Sequence, residues 1–372
     1  MTIVIAAGGT GGHLYPAVAL AQEFLRRDPA IKVLFVGTAR GLESNVLAHE
    51  GFDLALISAK PVMGKGLFGA VAGLCAMPVS LWQSLRILRT RRADLVIGVG
   101  GYTSPMMLLA AAVTGVARVI LEPNAYPGMA NKAVGPFAQR IFLAFESAAY
   151  SFNRSKVRVV GTPIRKAFLD GVQQSREKSG PPHLLIFGGS QGAKAMNAAV
   201  MEALPDLMTQ LPHLTVTHQT GEYDHTRVVE AYRRAGIEPK VMPFIYDMPA
   251  ALREADLVVA RAGAMTVAEL TACGKPAILI PLPSAIYDHQ TRNAKVMEAA
   301  GAAVVLPQSV LTGPLLVRTV ASILRDPERL RMMSEASLSL RRIDAAEIIV
   351  RECYALMGGD HDVNRSVGAA GV

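Results

Sequence analysis

The sequence predicts an α/β protein of two domains, each a parallel sheet with helices on both faces. Three observations predict it: the length, the apolar balance, and two chain segments that open with the same pattern. At 372 residues the chain exceeds the usual size of one hydrophobic core. Hydrophobic residues make up 51% and charged residues 18%, a balance that suits strands buried on both faces and favours an α/β fold over disorder.

The first opening is the apolar run Thr2 to Ala7, then Gly8-Gly9-Thr10-Gly11-Gly12-His13, then an Ala-rich segment from Pro16. Strand, glycine loop and helix are expected in that order. Lys32 to Gly37, Asp94 to Val99, Ala117 to Leu121 and Val157 to Gly161 are further β-rich runs, spaced for crossover helices. The opening then recurs as His183 to Phe187, Gly188-Gly189-Ser190-Gln191-Gly192-Ala193-Lys194 and a second Ala-rich helix. Thr215 to His218, Lys240 to Met242, Leu257 to Ala260, Pro276 to Ile280 and Ala303 to Leu306 continue the alternation. Open parallel sheets bind ligands at the carboxyl ends of their strands, so two such domains facing across a cleft offer two ligand sites.

The linker is expected near Gly161-Thr162-Pro163, with a surface loop from Gln173 to Pro182 and a disordered tail over 358–372. The longest apolar stretch, Leu67 to Val79, contains Gly69, Gly73 and Pro78 and is shorter than a membrane span. No signal peptide precedes the first strand in this reading. Cys75, Cys273 and Cys353 are odd in number and far apart, which fits free thiols and a cytoplasmic location. The formal charge of +8 implies an acidic partner without choosing among nucleic acid, anionic lipid and phosphorylated substrate.

Glycines after a strand let backbone approach a diphosphate, and the next helix presents unsatisfied N–H groups. The first loop is not a dinucleotide fingerprint: counted from Gly9, the sixth position is Leu14, and Lys32 stands where an acid is wanted. No Gly-Lys-Ser or Gly-Lys-Thr makes either a nucleoside-triphosphate loop. His13, where the first loop meets its helix, suits a general base at neutral pH or bonds only its own loop. The run Arg261 to Leu270 follows another strand, so its helix start can hold a diphosphate. There Glu269 either accepts both ribose hydroxyls or is a solvated surface acid. Gln290 and Asn293, on the helix after the Pro281 loop, can point two amides at one sugar or cap their helix.

Together these segments resemble the MurG family of peptidoglycan N-acetylglucosaminyltransferases, within glycosyltransferase family 28. The resemblance rests on Gly8 to His13, Gly100-Gly101-Tyr102, Glu122-Pro123-Asn124 with Asn131-Lys132, Gly161 to Arg165, Gly188 to Ala193, Arg261 to Leu270, and Gln290 with Asn293. It implies the GT-B fold of two Rossmann-like domains. An acceptor- and membrane-binding domain would span 1–161, completed by a helix at about 341–357, and a UDP-GlcNAc-binding domain would span 162–340. It implies inverting transfer of N-acetylglucosamine from UDP-GlcNAc to lipid I, the undecaprenyl-diphosphate-linked acceptor, giving lipid II.

By the same resemblance Thr10, Gly11, Gly12, His13, Gly101, Tyr102 and Asn131 hold the acceptor diphosphate, with His13 catalytic. Donor contacts fall to Thr10, Gly11, Gly12, Asn124, Arg165, Ser190, Ile245, Ala264, Met265, Thr266, Val267, Ala268, Glu269, Gln290 and Asn293. The chain departs from the family pattern at Pro123, Tyr126-Pro127 and Ala268.

No metal and no other cofactor is expected, because helix N-termini take the charge of the leaving diphosphate and the lone Asp-x-Asp, Asp360-His361-Asp362, lies in the tail. Peripheral contact with the cytoplasmic face of the bacterial inner membrane is expected through Lys60, Lys65, Leu67, Phe68, Val71, Leu74, Met77, Leu81, Trp82, Arg86, Arg89, Arg91 and Arg92. The plain alternative for that segment is a core helix with a basic turn. Cell-wall synthesis and division proteins are candidate partners; nucleic acid is not. The rival readings are a UDP-GlcNAc 2-epimerase, a diacylglycerol glycosyltransferase and a non-catalytic nucleotide-binding module.

Overall fold

The computed structural model describes residues 1–8, 11–38, 43–59, 66–169, 180–189, 191–238 and 240–358, with side chains omitted at 43–45, 66–75 and 286. The chain divides into two compact units: residues 1–165 with those from 343 onward, and residues 166–342. The division falls between Arg165 and Lys166, just past the Gly161-Thr162-Pro163 turn expected as linker.

The first unit alternates β1 (Thr2–Ala7), α1 (Gly11–Arg27), β2 (Lys32–Gly37), α2 (Glu43–His49), β3 (Asp53–Leu56), α3 (Gly66–Arg91), β4 (Leu95–Gly100), α4 (Ser104–Thr114), β5 (Ala117–Glu122), α5 (Met129–Val134), β6 (Arg140–Leu143) and β7 (Val157–Val159). The second runs β8 (His183–Phe187), α6 (Lys194–Gln210), β9 (Thr215–Gln219), α7 (His225–Arg234), β10 (Lys240–Met242), α8 (Met248–Glu254), β11 (Leu257–Ala260), α9 (Ala264–Ala272), β12 (Ala277–Leu279), α10 (His289–Ala299), β13 (Ala303–Val305), α11 (Gly313–Leu324) and α12 (Pro327–Ser339). A final helix, α13 (Ala345–Leu356), belongs to the first unit.

The described strands form a 7-stranded sheet, β3-β2-β1-β4-β5-β6-β7, and a 6-stranded sheet, β10-β9-β8-β11-β12-β13. Every pairing is parallel. Strand order reverses between β1 and β4 in one sheet and between β8 and β11 in the other. Those two switch points are where open sheets take ligands. The repeated opening in the sequence therefore marks the first strand of each sheet. β3 and β6, four residues each, were not expected.

The core of the first unit has a layer on each face of its sheet. One packs Ile3, Ile5, Ile97 and Val119 under α1 and α13; the other packs Val4, Val96 and Ile120 under α4. α13 seals the first layer with Ile349, Val350, Cys353 and Tyr354, and the Tyr354 ring meets Phe24 of α1 at 5.9 Å between centroids. Arg27 donates to the Glu347 carbonyl at 3.3 Å, and Arg140 pairs with Glu352 at 3.3 Å. The second unit is organised around Ile186, Val259 and Ile278 between helices.

Gly69, Gly73 and Pro78 do not interrupt the apolar stretch: α3 runs through all three. Pro78 has no N–H to continue the helical ladder. On the turns after it, Ser80 Oγ lies 2.9 Å from the Ala76 carbonyl and Ser84 Oγ 2.8 Å from that of Ser80. Among the described residues no helix is long and apolar enough to cross a membrane.

Candidate functional site

In the first unit the site forms where β1 and β4 end side by side. Their register shifts where Ala6 pairs with Gly98 and Ala7 with Gly100, leaving Val99 of β4 as the extra residue of a bulge. Ser104, the first residue of α4, fastens the two strands. Its hydroxyl accepts from Gly100 N at 2.9 Å and lies 2.8 Å from both the Ala6 and Gly100 carbonyls. Gly100 and Gly101 take φ of 123° and 77°. A Cβ on Gly101 would stand 2.2 Å from the Gly8 carbonyl oxygen, and one on Gly100 would stand 2.8 Å from His13 Nε2. Only glycine permits this contact of backbone with backbone and with imidazole.

His13 at the start of α1 is therefore held close against Gly100, half-buried, and Tyr102 of the same turn is exposed. Five sequence-derived positions, Gly11, Gly12, His13, Gly101 and Tyr102, meet at this one edge. Thr10 lies outside the described residues. Arg165, expected on the donor side, falls in the first unit, its guanidinium 4.9 Å from the Tyr15 ring centroid.

At the neighbouring strand end sits a residue whose importance the sequence did not reveal. Glu122, 1% exposed at the end of β5, accepts from Asn124 N at 3.0 Å and Asn124 Nδ2 at 3.1 Å on one oxygen. The other oxygen accepts from Gly128 N at 2.9 Å and Asn131 Nδ2 at 2.9 Å. All four partners are donors, so the carboxylate itself folds the 123–128 loop. Burial raises its pKa, opposed by the Gly128 and Asn124 N–H groups and the two amides, with the net shift upward. Asn131 is buried beneath this loop and does not line an open surface. Its Oδ1 is left without a partner.

In the second unit the loop after β8 opens α6 and packs on the loop after β9. A Cβ on Gly192 would lie 2.0 Å from the Thr220 carbonyl oxygen. Gln219 ties three loops: it accepts from Gly188 N at 3.2 Å and donates to the Gly189 carbonyl at 3.0 Å and the Pro243 carbonyl at 2.9 Å. Ser190 lies outside the described residues. Ile245 is buried just beyond, between Phe244 and Tyr246, whose rings meet edge to face at 5.0 Å.

α9 starts after Gly263, and no side chain caps it. Its first N–H groups, at Ala264, Met265 and Thr266, have no partner within the helix. Thr266 and Ala268 are partly exposed, while Val267 turns into the core and spends its N–H on the Gly263 carbonyl at 3.0 Å. Glu269 is buried, not a solvated surface acid.

Gln290 and Asn293 each hold a backbone partner in the loops around α10. Gln290 Oε1 accepts from Leu282 N at 2.9 Å, closing the loop before α10. Asn293 is fully buried and donates to the Ala262 carbonyl at 3.2 Å, holding the turn ahead of α9. Arg261 supports the same region through the Ile280 carbonyl at 3.0 Å and Gln308 at 2.6 Å. Tyr287 and Asp288 both hold left-handed backbone, φ 56° and 54°, just before α10, a local strain that sequence pattern does not disclose. Among the described residues no three His, Cys, Asp or Glu side chains gather as metal ligands.

Of the residues expected at the membrane, Met77 and Leu81 pack on the core of the first unit. Trp82 is 59% exposed, with Arg86 5.7 Å from its ring centroid, and Arg89, Arg91 and Arg92 are exposed on the following turn. Lys60 and Lys65, and the side chains of Leu67, Phe68, Val71 and Leu74, lie outside what is described.

Comparison with known proteins gives the family and the fold. The glycosyltransferase family 28 N-terminal domain matches residues 3–143, and the family 28 C-terminal domain matches residues 183–349. The UDP-N-acetylglucosamine–N-acetylmuramyl-(pentapeptide) pyrophosphoryl-undecaprenol N-acetylglucosamine transferase of Syntrophus aciditrophicus is 47% identical over 95% of this chain and 98% of its own. The crystal structure of Acinetobacter baumannii MurG superposes with a TM-score of 0.75 at 30% identity, covering 95% of this chain and 99% of that one. A UDP-GlcNAc 2-epimerase from Neisseria meningitidis, bound to UDP-GlcNAc, aligns with a TM-score of 0.65 at 14% identity, over 95% of this chain and 100% of that one. That likeness is one of fold alone.

Glu122→Gln tests the loop anchor. A glutamine presents an amide NH₂ to two of the four donors, leaving buried groups unmatched at a cost of about 1–3 kcal/mol each. A lower denaturation midpoint and faster proteolysis within 123–128 are expected; an unchanged midpoint would remove the anchoring role.

Proposed function

This chain belongs to glycosyltransferase family 28, and from that premise we infer that it transfers N-acetylglucosamine from UDP-GlcNAc to the muramyl 4-hydroxyl of undecaprenyl-diphospho-N-acetylmuramyl-pentapeptide. This is the step from lipid I to lipid II in peptidoglycan synthesis. The observation that carries the reading is 47% identity to the Syntrophus transferase across nearly the full length of both chains.

In this reading the muramyl 4-oxygen bonds to the anomeric carbon as the bond from that carbon to the diphosphate breaks, inverting the centre. UDP departs with the bonding electrons, and the hydroxyl proton passes to His13. The imidazole suits the task because its placement against Gly100 is fixed before substrate arrives. The acceptor diphosphate meets the N–H groups at Gly11 and Gly12 and the Gly101-Tyr102 turn. Glu122 acts indirectly, by shaping the loop that carries Asn124.

The donor diphosphate is assigned to the start of α9 and the glycine loop of α6, where unsatisfied N–H groups oppose the charge that grows on departing UDP. Glu269 takes the ribose and Gln290 the sugar. Helix N-termini supply the electrostatic stabilisation, so the reading requires no metal.

Contact with the membrane is assigned to the exposed Trp82–Arg86 face of α3 and the basic turn after it. An indole settles at the interface while arginines meet anionic headgroups. This makes the protein peripheral, at the leaflet where UDP-GlcNAc is supplied.

Incubation with radiolabelled UDP-GlcNAc and a lipid I analogue in EDTA should move label into the lipid. His13→Ala should lower kcat by about 100-fold or more. Transfer restored only by Mg²⁺ would overturn the metal-free reading, and near-normal turnover of His13→Ala would remove the base. In a separate measurement, co-sedimentation with phosphatidylglycerol vesicles should exceed that with phosphatidylcholine vesicles and fall several-fold in Trp82→Ala. Equal binding to both vesicles would reject the charge component.

A further inference from the structure

Beneath the donor loop of the second unit lies a chain of buried polar groups that the reaction does not use directly. Asn197 on α6, His218 on β9 and Tyr232 on α7 are each fully buried, and Thr220 and Asp224 nearly so. Asn197 Nδ2 donates to the Thr220 carbonyl at 2.9 Å and to Asp224 Oδ2 at 2.9 Å. His218 Nε2 is 3.2 Å from Asn197 Oδ1, and His218 Nδ1 is 3.3 Å from the Tyr232 hydroxyl.

The direction of every bond follows from its partners. A carbonyl and a carboxylate can only accept, so the Asn197 NH₂ faces them and its Oδ1 faces the imidazole. His218 must then carry its proton on Nε2 and accept from the tyrosine on Nδ1. Burial pushes the His218 pKa down to about 3 and raises that of Tyr232, so the one stays a neutral imidazole and the other a phenol. Asp224 precedes α7 yet caps nothing with its side chain; the carboxylate is turned to Asn197 instead.

What the chain holds is the Thr220–Gly221 turn. Gly192 has room for no Cβ against the Thr220 carbonyl, and Gly221 has none against the Gln191 carbonyl. The position of this turn therefore sets the position of Gln191 and Gly192, the last part of the loop before α6. We propose that His218 is a positioning residue for nucleotide-sugar binding, acting through Asn197 to fix the Thr220–Gly221 turn that seats the donor diphosphate loop. The proposal rests on the reading of that loop as a donor site.

Titration of the full chain with UDP by calorimetry, beside steady-state kinetics, tests it. His218→Leu removes both hydrogen bonds and should raise the UDP Kd and the UDP-GlcNAc KM about tenfold. The lipid acceptor KM should stay within about twofold, and kcat should fall by a smaller factor than the UDP Kd rises. His218→Gln supplies a donor toward Asn197 and an acceptor toward Tyr232, and should restore UDP affinity to within about threefold of the unaltered chain. An unchanged Kd in a folded His218→Leu protein, a folded His218→Gln protein no better than His218→Leu, or a loss in kcat alone would overturn the proposal. If His218→Leu does not fold, Tyr232→Phe deletes only the hydroxyl that orients His218. A raised UDP Kd there supports the proposal and an unchanged one overturns it. Failure of the unaltered chain to bind UDP would overturn the donor reading itself, and the proposal with it.

Discussion

Both working edges depend on main chain meeting main chain without a side chain between. Parallel strands deliver all their carboxyl ends to one edge, and neighbouring loops there must either collide or interlock. Here they interlock: Gly101 lies on the Gly8 carbonyl in one sheet and Gly192 on the Thr220 carbonyl in the other. Removing Cβ at these points brings the helix starts close enough to a ligand for N–H groups to serve as the charged surface. In the proposed reaction the aligned polar backbone would do what arginines or a metal do elsewhere, reorganising little as charge develops.

Close interlocking raises a second demand, because loops tied by backbone alone would slide. Each sheet answers with buried polar side chains that bond several loop groups at once. Glu122 receives four donors and gathers the loop after β5. Asn197 and Gln219 do the same for the loops after β8, β9 and β10. A fully matched polar group in low dielectric specifies one geometry more sharply than apolar packing, and a half-matched one is costly, so these positions tolerate little chemical change.

The strands and the glycine turns could be read in advance because each imposes a local rule: continuous apolar runs for strands buried on both faces, and glycine where a turn follows a strand. β3 and β6 also carry apolar runs, Leu54 to Leu56 and Ile141 to Leu143, but each lies within a strand of only four residues. Side-chain direction was the harder matter. Gln290 and Asn293 stand three apart, a spacing compatible with one shared face, yet Asn293 turns inward to the Ala262 carbonyl. Asn131 likewise looked like a lining residue and serves a carboxylate under the surface. Glu122 and Glu269 are lone acids in sequence, indistinguishable from solvated ones until the fold buries them. What the residues touch depends on contacts from distant strands, which local spacing does not encode.

α13 lies beyond the second unit in the chain but packs into the core of the first. A ribosome therefore completes residues 166–342 while residues 1–165 still lack one wall. Apolar residues such as Ile5 and Phe24, which this helix helps cover, remain uncapped until synthesis has passed residue 356. The usual order, in which the domain made first also folds first, is reversed at its last step: the second unit is finished before the one that precedes it.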